Sequence, residues 1–199
     1  MNSYLRDTAN TCMDILRSLP MVKSCALYGS IVNNTEDELS DIDIQVDVSG
    51  YDNGKFMLEV PHLIKKNLNI IYYDFAPSLI PNIYIVSNAI SSDNPFALVD
   101  IMCVAEPHCT TVLKEHAVND IFTHALKVWV INLKHHVRGY DCYGDINRMA
   151  KRLGINDTDS KREKQLLEES LIWIEENQTD NLAKYVNSCR KKFEKLFIY

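Results

Sequence analysis

No apolar run in this 199-residue chain reaches the roughly 18 residues that a helical membrane span requires, so none is expected. The first 19 residues lack a basic segment followed by an apolar stretch, so a signal peptide is not expected either and a cytoplasmic location is. The six cysteines (Cys12, Cys25, Cys103, Cys109, Cys142 and Cys189) contain no C-x-x-C pair. Free thiols are therefore expected in place of a disulfide framework or a zinc site. Basic residues are not in excess. The formal net charge of −6 argues against a long nucleic acid as the main partner and suits a cationic small molecule better. Internal repeats and low-complexity segments are lacking too.

What is present is the composition of a soluble globular protein, 46% hydrophobic and 24% charged. Helical spacing of Ala9, Cys12, Met13, Ile15, Leu16 and Leu19 predicts a helix over 5–19, stopped by Pro20. A short strand is expected at 22–28. A second, at 41–48, alternates Ile42, Ile44, Val46 and Val48 with Asp41, Asp43, Gln45 and Asp47. A helix at 55–66 must accommodate Pro61. Strand-like runs at 69–75 and 83–87 are separated by Pro77 and Pro81, and another strand runs from 97 to 104. From about His108 onward the periodicity is helical. Helices are predicted at 119–138, 145–153, 160–177 and 180–197, the last with Thr179 as its N-cap. The fold class expected is α+β. A small mixed β-sheet domain flanked by helices spans residues 1–106, and an all-helical domain at 107–199 forms the other wall of a cleft.

The chemistry concentrates in Leu27-Tyr28-Gly29-Ser30, ten intervening residues, then Asp41-Ile42-Asp43. A strand ending in Gly-Ser lets phosphate oxygens approach the backbone, and the hydroxyl can donate a hydrogen bond. Two carboxylates one residue apart on a strand project from the same face and repel each other, so divalent cations suit them. Asp100, inside the apolar run 97–104, is costly unless something compensates its charge. Three acids from two neighbouring strands are enough to hold two metal ions for in-line phosphoryl chemistry.

This arrangement, with Ser40 before the first Asp and Val99-Asp100-Ile101 as a later acid strand, resembles the polymerase-beta-type nucleotidyltransferase superfamily across residues 22–105. The helical second half makes the chain most similar to antibiotic nucleotidyltransferases that act on aminoglycosides or lincosamides. The resemblance implies transfer of a nucleoside monophosphate from a nucleoside triphosphate, ATP by preference, to a hydroxyl, with release of pyrophosphate. It implies Mg²⁺ (two ions) on Asp41, Asp43 and Asp100, with Asp100 completing the second metal site or taking the acceptor's proton. Gly29, Ser30 and Ser40 would bind the nucleotide. A homodimer sharing the cleft is compatible with it. The loop Ile31-Val32-Asn33-Asn34 departs from the pattern, because it has neither the basic residue nor the glycine that many relatives carry there.

Lys127 and Lys134, seven apart on the long predicted helix, are the candidate cations for the triphosphate, with a solvated helix face as the plain alternative. Glu106, Glu115, the adjacent His135-His136, and Arg190-Lys191-Lys192 with Lys195 read as surface groups. Tyr72, Tyr73 and Tyr84 read as packing residues. Two further functions stay open: modification of a protein hydroxyl, as in toxin–antitoxin nucleotidyltransferases, and a non-catalytic nucleotide-binding module on the same fold.

Overall fold

A computed structural model describes residues 3–76, 80, 82–107 and 111–197. Pro77 and Pro81, expected between two strands, lie outside these residues, as do Cys109 and the expected start of the helical half at His108. The chain divides into two compact units. The first comprises Met1–Ser91 and Ala97–Asn119, and the second comprises Ser92–Phe96 and Asp120–Tyr199.

The first unit is a five-stranded mixed sheet with helices. Its elements in chain order are α1 (Ser3–Arg17), β1 (Ser24–Tyr28), α2 (Ser30–Asn33), β2 (Ile42–Asp47), α3 (Asn53–Ile64), β3 (Tyr72–Phe75), β4 (Ile83–Ala89) and β5 (Leu98–Val104). The strand order is β1-β2-β5-β4-β3. Only the β2–β5 pair is parallel, joined by a long crossover, and the other three pairs are antiparallel. The alternation read in β2 is realised: Ile42, Ile44, Val46 and the following Val48 are fully buried. They pack with Val99, Ile101 and Cys103 of β5, with Leu5, Ala9, Cys12 and Leu16 of α1, and with Phe56 and Val60 of α3. This leaves the opposite face of the sheet to carry the polar residues.

Pro61 does not break α3. The helix starts at Asp52, whose carboxylate accepts from the Lys55 N–H at 2.9 Å, and continues to Ile64 with Pro61 buried among its apolar positions. Burial of the ring and of neighbouring Val60 and Ile64 offsets the one lost backbone bond.

The second unit is helical: α4 (Ile121–Val137), α5 (Tyr143–Arg152), α6 (Glu163–Glu176) and α7 (Ala183–Phe197). Asp120 caps α4 by accepting from the Thr123 N–H at 2.9 Å. The fully buried Trp129 donates its indole N–H to the Leu167 carbonyl at 2.8 Å, and Tyr185 donates to Pro95 O at 2.7 Å. Both bury a large ring while satisfying its polar end.

Two local expectations change. The last α-helix begins at Ala183, after a 3₁₀ turn at Asp180–Leu182, and the Thr179 hydroxyl is bonded to Asn181 Oδ1 instead of capping a backbone N–H. Arg190 is not part of a solvated helix back: it grips Glu175 of α6 through two bonds, at 2.7 and 2.6 Å. A planar guanidinium matches a carboxylate in this way, which tethers α7 to α6. The five described cysteines carry free thiols. No helix among the described residues is long and apolar enough to cross a membrane.

Candidate active site

Sheet register aligns the acids. Tyr28 of β1 pairs with Asp43 of β2, Asp43 with Asp100 of β5, Asp100 with Ser87 of β4, and Ser87 with Asp74 of β3. Directly opposed residues project to the same face, so one polar row crosses all five strands on the face away from the aliphatic core. Asp41, two residues before Asp43, joins it from the entry to β2. One carboxylate oxygen from each of Asp41, Asp43 and Asp100 lies within 4.8 Å of the other two. All three residues are part-exposed, although Oδ1 of Asp100 is shielded from solvent.

Three like charges so close raise the cost of any further anion beside them. The Tyr28 phenol registers that field: burial first, then Asp43, Asp100 and Asp41, push its pKa up to about 12. It stays protonated through the physiological range. Together these groups form a hard, oxygen-only donor set that a divalent cation of the Mg²⁺ type fits.

Gly29 allows the acids to sit there. Its φ of 72° and ψ of −147° belong to a region that only glycine occupies readily. A Cβ built on it would stand 2.2 Å from Asp43 Oδ2. The missing side chain is thus the space that the second carboxylate fills. Ser30 begins α2, and its hydroxyl is buried and makes no hydrogen bond in the fold. That leaves it a donor for a ligand. Ser40 is buried, with its hydroxyl engaged locally: it donates to Asp37 Oδ1 at 2.8 Å and accepts from the Asp37 N–H at 2.9 Å. Its part is to close the turn that delivers Asp41 to the row.

The loop after Ser30 has no basic residue or glycine of its own, and two residues shape it. Asn34 adopts the left-handed conformation (φ 54°, ψ 37°) that ends α2, as glycine commonly does. Arg6 of α1 reaches the loop, donating from Nε to Glu36 Oε1 at 2.7 Å and from Nη2 to Ile31 O at 3.2 Å and to Asn34 Oδ1 at 2.9 Å. The Glu36 carboxyl, held below its usual range by its own backbone N–H and then by Arg6, stays ionised as Arg6's partner. Sequence reading missed Arg6 because its link to the loop exists only in three dimensions.

Residues 10–96 match the family model described as Polymerase beta, Nucleotidyltransferase. That match supports the polymerase beta-type nucleotidyltransferase superfamily and nucleotidyl transfer as the activity. The matched segment contains Gly29, Ser30, Asp41 and Asp43 and ends ahead of Asp100, which the parallel β2–β5 pairing brings to it. A search of the curated proteins finds no match.

Each of the other sequence candidates has its own setting in the fold. Lys127 and Lys134 lie in the second unit on α4, each only 7% exposed, which excludes a solvated helix face. Glu106 and Glu115 are exposed, as a surface reading requires. Tyr84 is buried and bonded to Val112 O at 2.9 Å, a packing role with its polar end satisfied. Two members of the polar row, Asp74 and Ser87, are buried and were absent from the sequence candidates. Their signal was there: each stands inside an apolar strand, as Asp100 does.

Proposed function

We propose that this nucleotidyltransferase moves a nucleoside monophosphate from a nucleoside triphosphate, ATP in the first instance, to a hydroxyl of a small molecule. In this reading Asp41, Asp43 and Asp100 hold two Mg²⁺ ions, and the acceptor is an antibiotic of the aminoglycoside or lincosamide class. The observation that carries it is the meeting of three carboxylates beside a glycine whose absent Cβ makes room for one of them. When bound, the ions offset the negative charge of the α-phosphate and of the leaving pyrophosphate.

The chain's own residues supply position and a proton acceptor. Gly29 opens the backbone to the β- and γ-phosphates, and the Ser30 hydroxyl donates to them. Ser40 fixes the turn ahead of Asp41. Asp100 completes the second metal site or takes the proton of the acceptor hydroxyl as that oxygen bonds to the α-phosphorus. The bond from the α-phosphorus to the oxygen bridging to the β-phosphate breaks, and pyrophosphate departs with that electron pair. Lys127 and Lys134, both buried on α4, are the cations assigned to the triphosphate. The net charge of −6 favours a cationic acceptor over an anionic one.

The test is pyrophosphate release from ATP and Mg²⁺ across a panel of aminoglycosides and lincosamides. At least one acceptor should give turnover that Asp41→Asn removes. If no antibiotic supports turnover above the acceptor-free rate, the acceptor assignment is wrong. Turnover that survives Asp41→Asn contradicts the role given to the acids.

A further inference from the structure

Three donor side chains of different chemistry converge in the second unit. His136 comes from the last turn of α4, Cys142 immediately precedes α5, and Glu163 is the first residue of α6. One ligand atom from each lies within 4.8 Å of the other two. His136 Nδ1 and Glu163 Oε2 are 2.7 Å apart. Cys142 is 2% exposed, whereas the histidine and glutamate side chains are about a quarter exposed (24% and 26%), so a buried thiol sits beside two ligands that water can reach. The Phe197 ring, 5.5 Å from the His136 imidazole, forms an apolar wall. The carboxylates of Asp141 and Asp145 add their negative charge to that of Glu163 around the thiol. Cys142 makes no side-chain cap to α5, so its sulfur has no structural duty at the helix start.

We propose that His136, Cys142 and Glu163 bind a zinc ion, with the fourth position left to water. The donor set decides the metal. One nitrogen, one sulfur and one carboxylate oxygen are the ligands zinc takes, whereas Mg²⁺ and Ca²⁺ favour oxygen alone and are poorly served by a thiol. With zinc–ligand distances of about 2.0–2.3 Å, tetrahedral donors stand about 3.3–3.8 Å apart. The His136–Glu163 pair therefore opens by under ~1 Å from its proton-bridged separation, and no donor spacing has to close by more than about 1 Å. Both shifts are within side-chain rotation. Binding exchanges one hydrogen bond for three metal bonds, and the thiol releases its proton to solvent. Because the ligands come from α4, the residue that leads into α5, and α6, the ion braces these three helices against one another. His135 takes no part in the cluster, since adjacent residues on a helix diverge by about 100°. The competing reading is an ordinary His–Glu ion pair beside a buried thiol, which needs no metal.

Cobalt(II) is the spectroscopic stand-in for zinc, whose filled d shell gives no absorption of its own. Titrating the metal-free wild-type protein with Co²⁺ should raise a sulfur-to-cobalt charge-transfer band that saturates at one equivalent per chain and disappears when Zn²⁺ is added. The band should be absent from Cys142→Ser and present in Asp43→Asn, whose altered site holds no sulfur. Absence of the band in the wild type, or its survival in Cys142→Ser, overturns the proposal. Glu163→Gln, which keeps side-chain size and leaves the thiol in place, guards against a folding artefact. Its zinc affinity by chelator competition should fall at least about tenfold, and an unchanged affinity overturns the proposal equally.

Discussion

Asp43→Asn should lower pyrophosphate release by about a thousandfold while leaving the melting temperature unchanged or slightly raised. The two halves of this expectation have one cause. Asp43 is the middle acid, opposed by Tyr28 on one side and Asp100 on the other, with its Oδ2 in the space left by Gly29. In the metal-free protein its charge works against Asp41 and Asp100, so neutralising it relieves repulsion. In the enzyme loaded as proposed, the same charge would hold cation and phosphate in register, so neutralising it would remove electrostatic stabilisation at the reacting centre. The amide is nearly the size of the carboxylate, which keeps packing constant. Thermal melting without metal and initial rates with Mg²⁺ check the two halves separately. A variant that loses stability in step with activity would show that Asp43 is a structural residue.

Gly29→Ala carries the second large effect. The backbone conformation there is strained for any residue with a Cβ, at about 1–3 kcal/mol. The new methyl would also drive Asp43 from its place, because Oδ2 and Cγ lie 2.2 and 3.2 Å from the Cβ position. The variant should lose activity about as completely as Asp43→Asn and, unlike it, melt several degrees lower. The steric part can be isolated. Combined with Asp43→Ala, which deletes the clashing atoms and leaves only a Cβ at 3.5 Å, Gly29→Ala should cost less stability than it does alone. Strict additivity of the two substitutions would mean that backbone strain accounts for the whole effect.

Most of the first unit could be read from residue patterns because its elements announce themselves. Period-two alternation in Ile42–Val48 fixed both the strand and the face on which its acids stand, and the burial of every second residue follows that pattern. Asp100 was recognisable as a charge among aliphatic residues. Asp74 and Ser87 carry the same signature in weaker form: Asp74 sits in a strand of four residues, too short to show a period, and Ser87 is too small and neutral to stand out. That all five residues of the row share one register line depends on strand order β1-β2-β5-β4-β3, which no local pattern encodes. The same holds for Arg6. Its hydrogen bonds to Ile31, Asn34 and Glu36 join residues far apart in the chain and tether the loop to α1. His136 reads in sequence as half of a histidine pair, and its contact with Glu163 and nearness to Cys142 join residues far apart in the chain. Local chemistry is legible in sequence, whereas convergence of distant residues is legible only where a motif marks it, as for Asp100.

The claim beneath all of this is that Asp41, Asp43 and Asp100 gather divalent cations around a bound nucleotide. Counting Mn²⁺ bound to the protein by electron paramagnetic resonance, with and without a non-hydrolysable ATP analogue, tests it directly. The account predicts about two Mn²⁺ per chain when the analogue is present, and loss of that binding in Asp43→Asn and in Asp100→Asn. An equal Mn²⁺ count in the wild type and both variants would contradict it.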